Sequence, residues 1–219
     1  VKAIAVLYAT REGQTCHIAE RVAATLRARG FAVNVHDVAL DLPPDFDLAE
    51  CAGAVLAASI HIGKHEKEMV AFVKKHRTEL ERTPSMLLSV SLAQAGVEDP
   101  SATPERKRRT AANVSKTIEN FLRQTVWTPT RVHAVAGALL YRQYRLPLRL
   151  MMRFIAAMVG AATDTTRDHE YTDWQALDRY ADEFAAALKA LWSASDAAES
   201  TASPFAKAFL TWRKPGLAG

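Results

Sequence analysis

Six consecutive residues, Thr10-Arg11-Glu12-Gly13-Gln14-Thr15, place two hydroxyls, a guanidinium and one glycine directly after an apolar run. If a helix begins there, its first N–H groups lack partners within the helix and carry a partial positive charge, which suits a phosphate. The threonine hydroxyls add donors, and Gly13 permits a turn that a side chain would block. The stretch lacks the lysine and spacing of a P-loop and the three glycines of a dinucleotide fingerprint. A capping threonine with a turn glycine accounts for the same letters, so this loop alone leaves both readings open. A carboxylate at Glu12 repels a phosphate, so Glu12 is expected to turn outward, toward Arg11.

Such a loop needs a strand before it and a helix after it, and the sequence supplies both. Apolar runs at 3–8, 31–38, 54–59, 85–92 and 131–137 read as five strands. Helical periodicity fills 15–29, ended by Gly30, then 66–76, 105–122 and 173–192. Strand and helix in alternation argue for a parallel sheet covered on both faces. Ligands of such sheets sit at the carboxyl ends of the strands, near the switch in strand order. Three loops lie there: Thr10 to Thr15 after the first strand, Ser59-Ile60-His61-Ile62-Gly63 after the third, and Ser91-Leu92-Ala93 after the fourth. The segment 169–171 is expected to resume the sheet edge, and 193–219 to form a flexible tail with an amphipathic patch from Phe205 to Lys214.

Composition narrows the class. The chain has 219 residues, enough for one generous α/β domain or one domain and a tail. A formal charge of +4 suits an anionic ligand or membrane face and does not by itself indicate nucleic acid. Cys16 and Cys51 are the only cysteines, so no disulfide framework is legible and a reducing compartment is the simpler inference. The first apolar run is too short for a signal peptide, and none is long enough to span a bilayer; a soluble or peripheral protein is expected. The His and Cys residues make no metal-ligand spacing, and there is no Gly-x-Ser-x-Gly elbow. His61 and His65 are expected to be solvated loop residues, Cys16 a small packing residue, and Arg106 to Arg109 a solvated helix face.

The loop from Thr10 to Thr15 resembles the flavodoxin phosphate loop, with Glu12 standing where flavodoxins usually carry another threonine. Beyond the fold, the chain resembles the bacterial menaquinone-dependent protoporphyrinogen oxidases, a long-chain flavodoxin family. The resemblance rests on that loop and on Ala58 to Gly63, Phe72 to His76, Ser89 to Leu92, Ala136 to Tyr141, Thr163 to Thr165 and Tyr171 to Trp174. It departs at 95–103, which looks longer and less basic, and in the tail after Trp192. The resemblance implies a flavodoxin-like, doubly wound, five-stranded parallel sheet over 1–192, with a long-chain insertion at 141–165 near the last strand. It implies FMN, with its phosphate at Thr10, Arg11, Glu12, Gly13, Gln14 and Thr15. The isoalloxazine would lie between Ser59, Ile60, His61, Ile62 and Gly63 and Ser91, Leu92 and Ala93. It further implies that protoporphyrinogen IX is dehydrogenated in haem biosynthesis, with electrons passed to menaquinone or another quinone at the inner face of the cell membrane. No nucleophile from the protein is expected, because the flavin carries the chemistry.

The insertion is the informative part. Its stretch at 148–159 is strongly apolar, and Arg149 and Arg153, four apart, share one helical face. With Arg142 and Arg145 they suit anionic headgroups at a membrane surface, or the two propionates of a tetrapyrrole under a lid. A core helix with two arginines reaching solvent is the third reading. A flavodoxin-type electron carrier, an NAD(P)H:quinone reductase and a module without FMN remain as alternatives, and a homo-oligomer stays open.

Overall fold

The computed structural model describes residues 2–143, 146–159 and 161–201. Along the chain run β1 (Ile4–Ala9), α1 (Gln14–Ala28), β2 (Val33–Asp37), β3 (Gly53–His61) and β4 (Lys64–His65). Then come α2 (Lys67–Lys75), α3 (Arg77–Arg82), β5 (Ser85–Ser91), α4 (Leu92–Glu98), α5 (Pro104–Thr125) and β6 (Arg131–Ala136). The chain continues through β7 (Ala138–Leu139), α6 (Leu146–Val159), β8 (His169–Glu170) and α7 (Trp174–Thr201).

Five strands pair in parallel in the order β2-β1-β3-β5-β6, and β4 folds back antiparallel on the end of β3. The central strands β1, β3 and β5 are apolar on both faces because both are covered, while the edge strands β2 and β6 carry partly exposed polar residues. Ile4 and Val6 of β1, Val55 of β3 and Met86 and Leu88 of β5 pack on one side with α1 and α7. Ala5 and Leu7, Leu56 and Leu87 pack on the other with Met69, Phe72, Phe121 and Trp127. Alternation with period two sends successive residues to opposite layers.

Helix α1 buries Ile18, Ala19, Val22, Ala23 and Leu26 as one stripe. It ends at Gly30, whose φ of 89° few other residues adopt. Gly30 N–H donates to the Arg27 carbonyl and Phe31 N–H to that of Leu26, closing the helix with a Schellman motif. Helix α7 lies against α1, registered by two paired bonds each from Arg21 to Asp178 and from Arg29 to Asp182.

The structure departs from the sequence reading in several places. Residues 169–171 do not rejoin the sheet: β8 pairs antiparallel with β7 in a separate two-stranded ribbon, and this ribbon closes the base of the insertion. Helix α7 runs to Thr201, past the Trp192 boundary, while the Phe205 to Lys214 patch lies outside the described residues. Helix α4 occupies residues read as loop, and α3 occupies a stretch between the expected helix at 66–76 and the strand from Ser85.

Near the start of β3, a Cβ on Gly53 would meet Leu188 and Phe184 at 3.2 Å. Both side chains are fully buried and have little room to retreat. Gly53→Val is expected to lower the free energy of urea unfolding by about 1–3 kcal/mol through overpacking. A variant as stable as the parent would show that α7 can shift off the sheet without loss.

Candidate functional site

The carboxyl ends of β1, β3, β5 and β6 converge beneath α6. At the first of them α1 starts on Gly13, with a φ of 89° and no side-chain cap on its N-terminus. Helices α4 and α5 are capped, with Ser91 Oγ accepting from Gln94 N–H and Thr103 Oγ1 from Arg106 N–H, whereas α2 and α3, like α1, have no side-chain cap. Thr10 Oγ1 accepts from Gly13 N–H at 3.0 Å, which closes the turn and leaves the hydroxyl proton to donate elsewhere. Thr15 is buried just inside the helix.

A cleft of about 70 Å³ opens here, lined by Thr10, Arg11, Glu12, Gln14 and Thr15, by Ser59, Ile60 and His61, and by Ser91 and Leu92. It adjoins a chamber of about 400 Å³ that shares Ile60, His61, Ser91, Leu92 and Met152. Ile62, Gly63 and Ala93 line only the chamber. The three loops expected from the sequence therefore surround one continuous space, with Gly13 at the helix start beneath it. Uncapped N–H groups, hydroxyl donors and a cationic side chain at one end, opening on an apolar chamber, fit a phosphorylated flat-ring cofactor such as FMN.

Details differ from expectation. Arg11 Nε donates to Glu66 Oε2 at 2.9 Å, and Glu12 lines the cleft wall rather than turning outward. Glu66 is only 4% exposed and also accepts from Ser59 Oγ at 3.3 Å, so it ties the first loop to the third. The Gln14 amide nitrogen is engaged within the protein, donating to Glu170 Oε1 at 2.7 Å and Thr172 Oγ1 at 2.9 Å. Neither histidine is simply solvated: His61 is half-buried against both cavities, and His65 is buried on the Phe121 ring with Nε2 2.9 Å from Ser89 Oγ.

Sequence reasoning missed several lining residues. Glu66, Val90, Gly137, Ala138 and Met152 border the cleft, and Asn113, Val114, Thr117 and Ile155 the chamber. Gly137 had a legible signal, a glycine directly after an apolar strand. Its own N–H donates to the Ser91 carbonyl and its carbonyl accepts from Tyr171 N–H, and a Cβ there would meet Val90 at 3.4 Å. The arginines expected at substrate or membrane stand apart. Among the described residues, Arg142 and Arg153 are exposed, Arg149 is half-buried, and none of the three lines either cavity; Arg145 lies outside the described residues.

Helix α6 has two apolar faces. Met152 and Ala156 turn inward with Leu139 and Tyr141, while Leu146, Leu150 and Phe154 are 71%, 58% and 66% exposed. It is therefore neither a plain core helix nor a purely interfacial one. No helix among the described residues is long and apolar enough to cross a membrane.

Comparison with known proteins gives a concordant picture. Residues 5–166 match the model of a flavodoxin domain. A protein of Escherichia coli (strain K12) named protoporphyrinogen IX dehydrogenase [quinone] is 33% identical over 82% of this chain and 93% of its own length. A Leishmania major protein of the same name is 33% identical over 82% of this chain and 73% of its own length. The solved flavodiiron core of Flv1 from Synechocystis sp. PCC6803 superposes with a TM-score of 0.51 at 14% identity, over 87% of this chain and 36% of that one, a likeness in fold alone.

Burial pushes the His65 imidazole down from 6.5 to about 4. The unfolded chain takes up this proton between those two values while the folded chain does not. The His65 contribution is thus whole above pH 6.5 and is lost progressively as pH falls toward 4. Its slope reaches at most about 1.4 kcal/mol per pH unit. His65→Gln, which can still bond Ser89, is expected to flatten the pH dependence of the unfolding free energy in that window. An unchanged slope would assign the acid sensitivity to other groups.

Proposed function

Because this chain belongs to the flavodoxin-domain family, we propose that it dehydrogenates protoporphyrinogen IX to protoporphyrin IX, as a step of haem biosynthesis. FMN is its cofactor and supplies the hydride and electron chemistry when bound. Menaquinone or another quinone takes the electrons.

The observation that supports this reading best is the continuity of the phosphate-loop cleft with a large apolar chamber roofed by α6. The α1 N-terminus, with the hydroxyls of Thr10 and Thr15, holds the phosphate. Loops Ser59 to Gly63 and Ser91 to Ala93 flank the ring system, and Glu66 fixes the first of these against Arg11. Val114, Met152 and Ile155 offer an apolar surface for a tetrapyrrole, and Asn113 and Thr117 offer polar groups among them. Met152 borders both cavities, so α6 covers cofactor and substrate from one side.

The outward face of α6 supports a peripheral seat on the inner face of the cell membrane. Its sequence, Leu-Pro-Leu-Arg-Leu-Met-Met-Arg-Phe-Ile-Ala-Ala-Met-Val, contains no acidic residue. The exposed cations Arg142 and Arg153 suit lipid phosphates, at about 1 kcal/mol each near an anionic surface. A soluble electron carrier has no use for such a face, which leaves large apolar side chains in water.

Two measurements test the proposal. Anaerobic addition of protoporphyrinogen IX to FMN-loaded protein should bleach the flavin, and a menaquinone analogue should restore its colour. A flavin that stays oxidised rules out this substrate. Replacing Leu150 and Phe154 together by Asp should lower partition onto anionic vesicles by roughly tenfold or more. Unchanged partition would remove α6 from the membrane contact.

A further inference from the structure

The hairpin joining β3 to β4 has an unexpected residue at its tip. Ile62 has a φ of 48° and is 72% exposed. A β-branched side chain is a genuine outlier in the left-handed region, where Asn or Gly sits without strain. The position is thus unfavourable twice, once for the backbone and once for the apolar side chain in water. Strain held at a rim is an observation from which function can be inferred.

The place of the tip gives it a use. Ile62 lines the chamber and is still mostly exposed, so it stands at the mouth. Ile155 of α6 lines the same chamber, and one turn earlier on the same flank Met151 is 40% exposed. At 100° per residue, Met151 lies between Ile155 and the outward stripe of Leu146, Leu150 and Phe154. Arg149 and Arg153 occupy the opposite flank of the helix. Apolar surface therefore runs unbroken from the chamber wall, over Met151, to the face proposed to meet the membrane. Exposed Lys64 follows two residues after the tip and adds a cation at the level of lipid phosphates.

We propose that the Ile62 tip is a second lipid-inserting point and that, with the Met151 flank of α6, it forms the port by which a long-chain quinone enters the chamber from an anionic bilayer. This rests on the membrane reading of α6 given above. The bilayer is favoured over a protein partner because cations flank both apolar projections and α6 carries no acidic residue.

The test uses FMN-loaded protein on phosphatidylglycerol/phosphatidylcholine vesicles. In the Ile62→Trp variant, the new emission should be quenched by lipids brominated along the acyl chain. In Ile62→Asn, which suits the left-handed backbone and is expected to raise the melting temperature, vesicle partition should fall about tenfold. In Met151→Asp, the ratio of rates with vesicle-embedded isoprenoid quinone and with a chainless naphthoquinone should fall by a similar factor. If the Leu150/Phe154 double variant loses vesicle binding while Ile62→Trp emission is unquenched and Ile62→Asn binds normally, the tip is not in lipid and this inference falls alone. If the parent protein does not bind vesicles, the membrane reading falls with it.

Discussion

One buried amide joins the parts of this protein that must act together. Gln14 stands in the first turn of α1, and its side-chain nitrogen reaches Glu170 and Thr172 on the segment that returns from the insertion. Thr172 in turn donates to the carbonyl of Ala136, at the end of the last parallel strand. The loop proposed to hold a phosphate, the ribbon that carries α6 and the sheet are thereby connected through two side chains. A buried amide with one of these partners removed would leave polar groups unpaired, at about 1–3 kcal/mol each. The link holds the roof at a fixed height over the cofactor loops.

The central strands were legible because they are buried on both faces and so read as apolar runs, and the edge strand β2 because its apolar residues alternate. Their order in parallel follows from the helices between them. The three site loops could be located by the same logic, since they lie at the carboxyl ends of β1, β3 and β5. What escaped was whatever depends on distance along the chain. Glu66, Met152 and Gly137 reach the cleft from segments whose own sequence says nothing of it. The β7 and β8 pair, at two residues each, is too short for any periodicity. Helix α4 was obscured by Gly96 and Pro100, which sit where a turn would be read. Gln14 lines the cleft as the loop position suggested, and only the fold shows its side-chain amide turned to Glu170.

The insertion helix shows how one element can serve two surroundings. Inward, Met152 and Ala156 pack with Leu139 and Tyr141; outward, Leu150 and Phe154 have no cover within the described chain. Two apolar faces on one short helix are unstable in water alone, and they make sense where a second apolar phase is present. In the proposed membrane seat, the arginines on one flank would set the depth and tilt of the helix, and the other flank would stay open to lipophilic molecules. The proposed substrates, a lipophilic quinone and a tetrapyrrole, would both benefit from such an arrangement, because each would have to reach a flavin without crossing much water.

The central claim is that cofactor loop and roof behave as one unit through Gln14. Hydrogen exchange of the α6 amides, compared with and without FMN in the parent chain and in Gln14→Ala, tests it directly. FMN should slow exchange across 146–159 in the parent, and the slowing should largely vanish in the variant. Exchange in α6 that ignores FMN in the parent, or responds equally in the variant, would contradict the account.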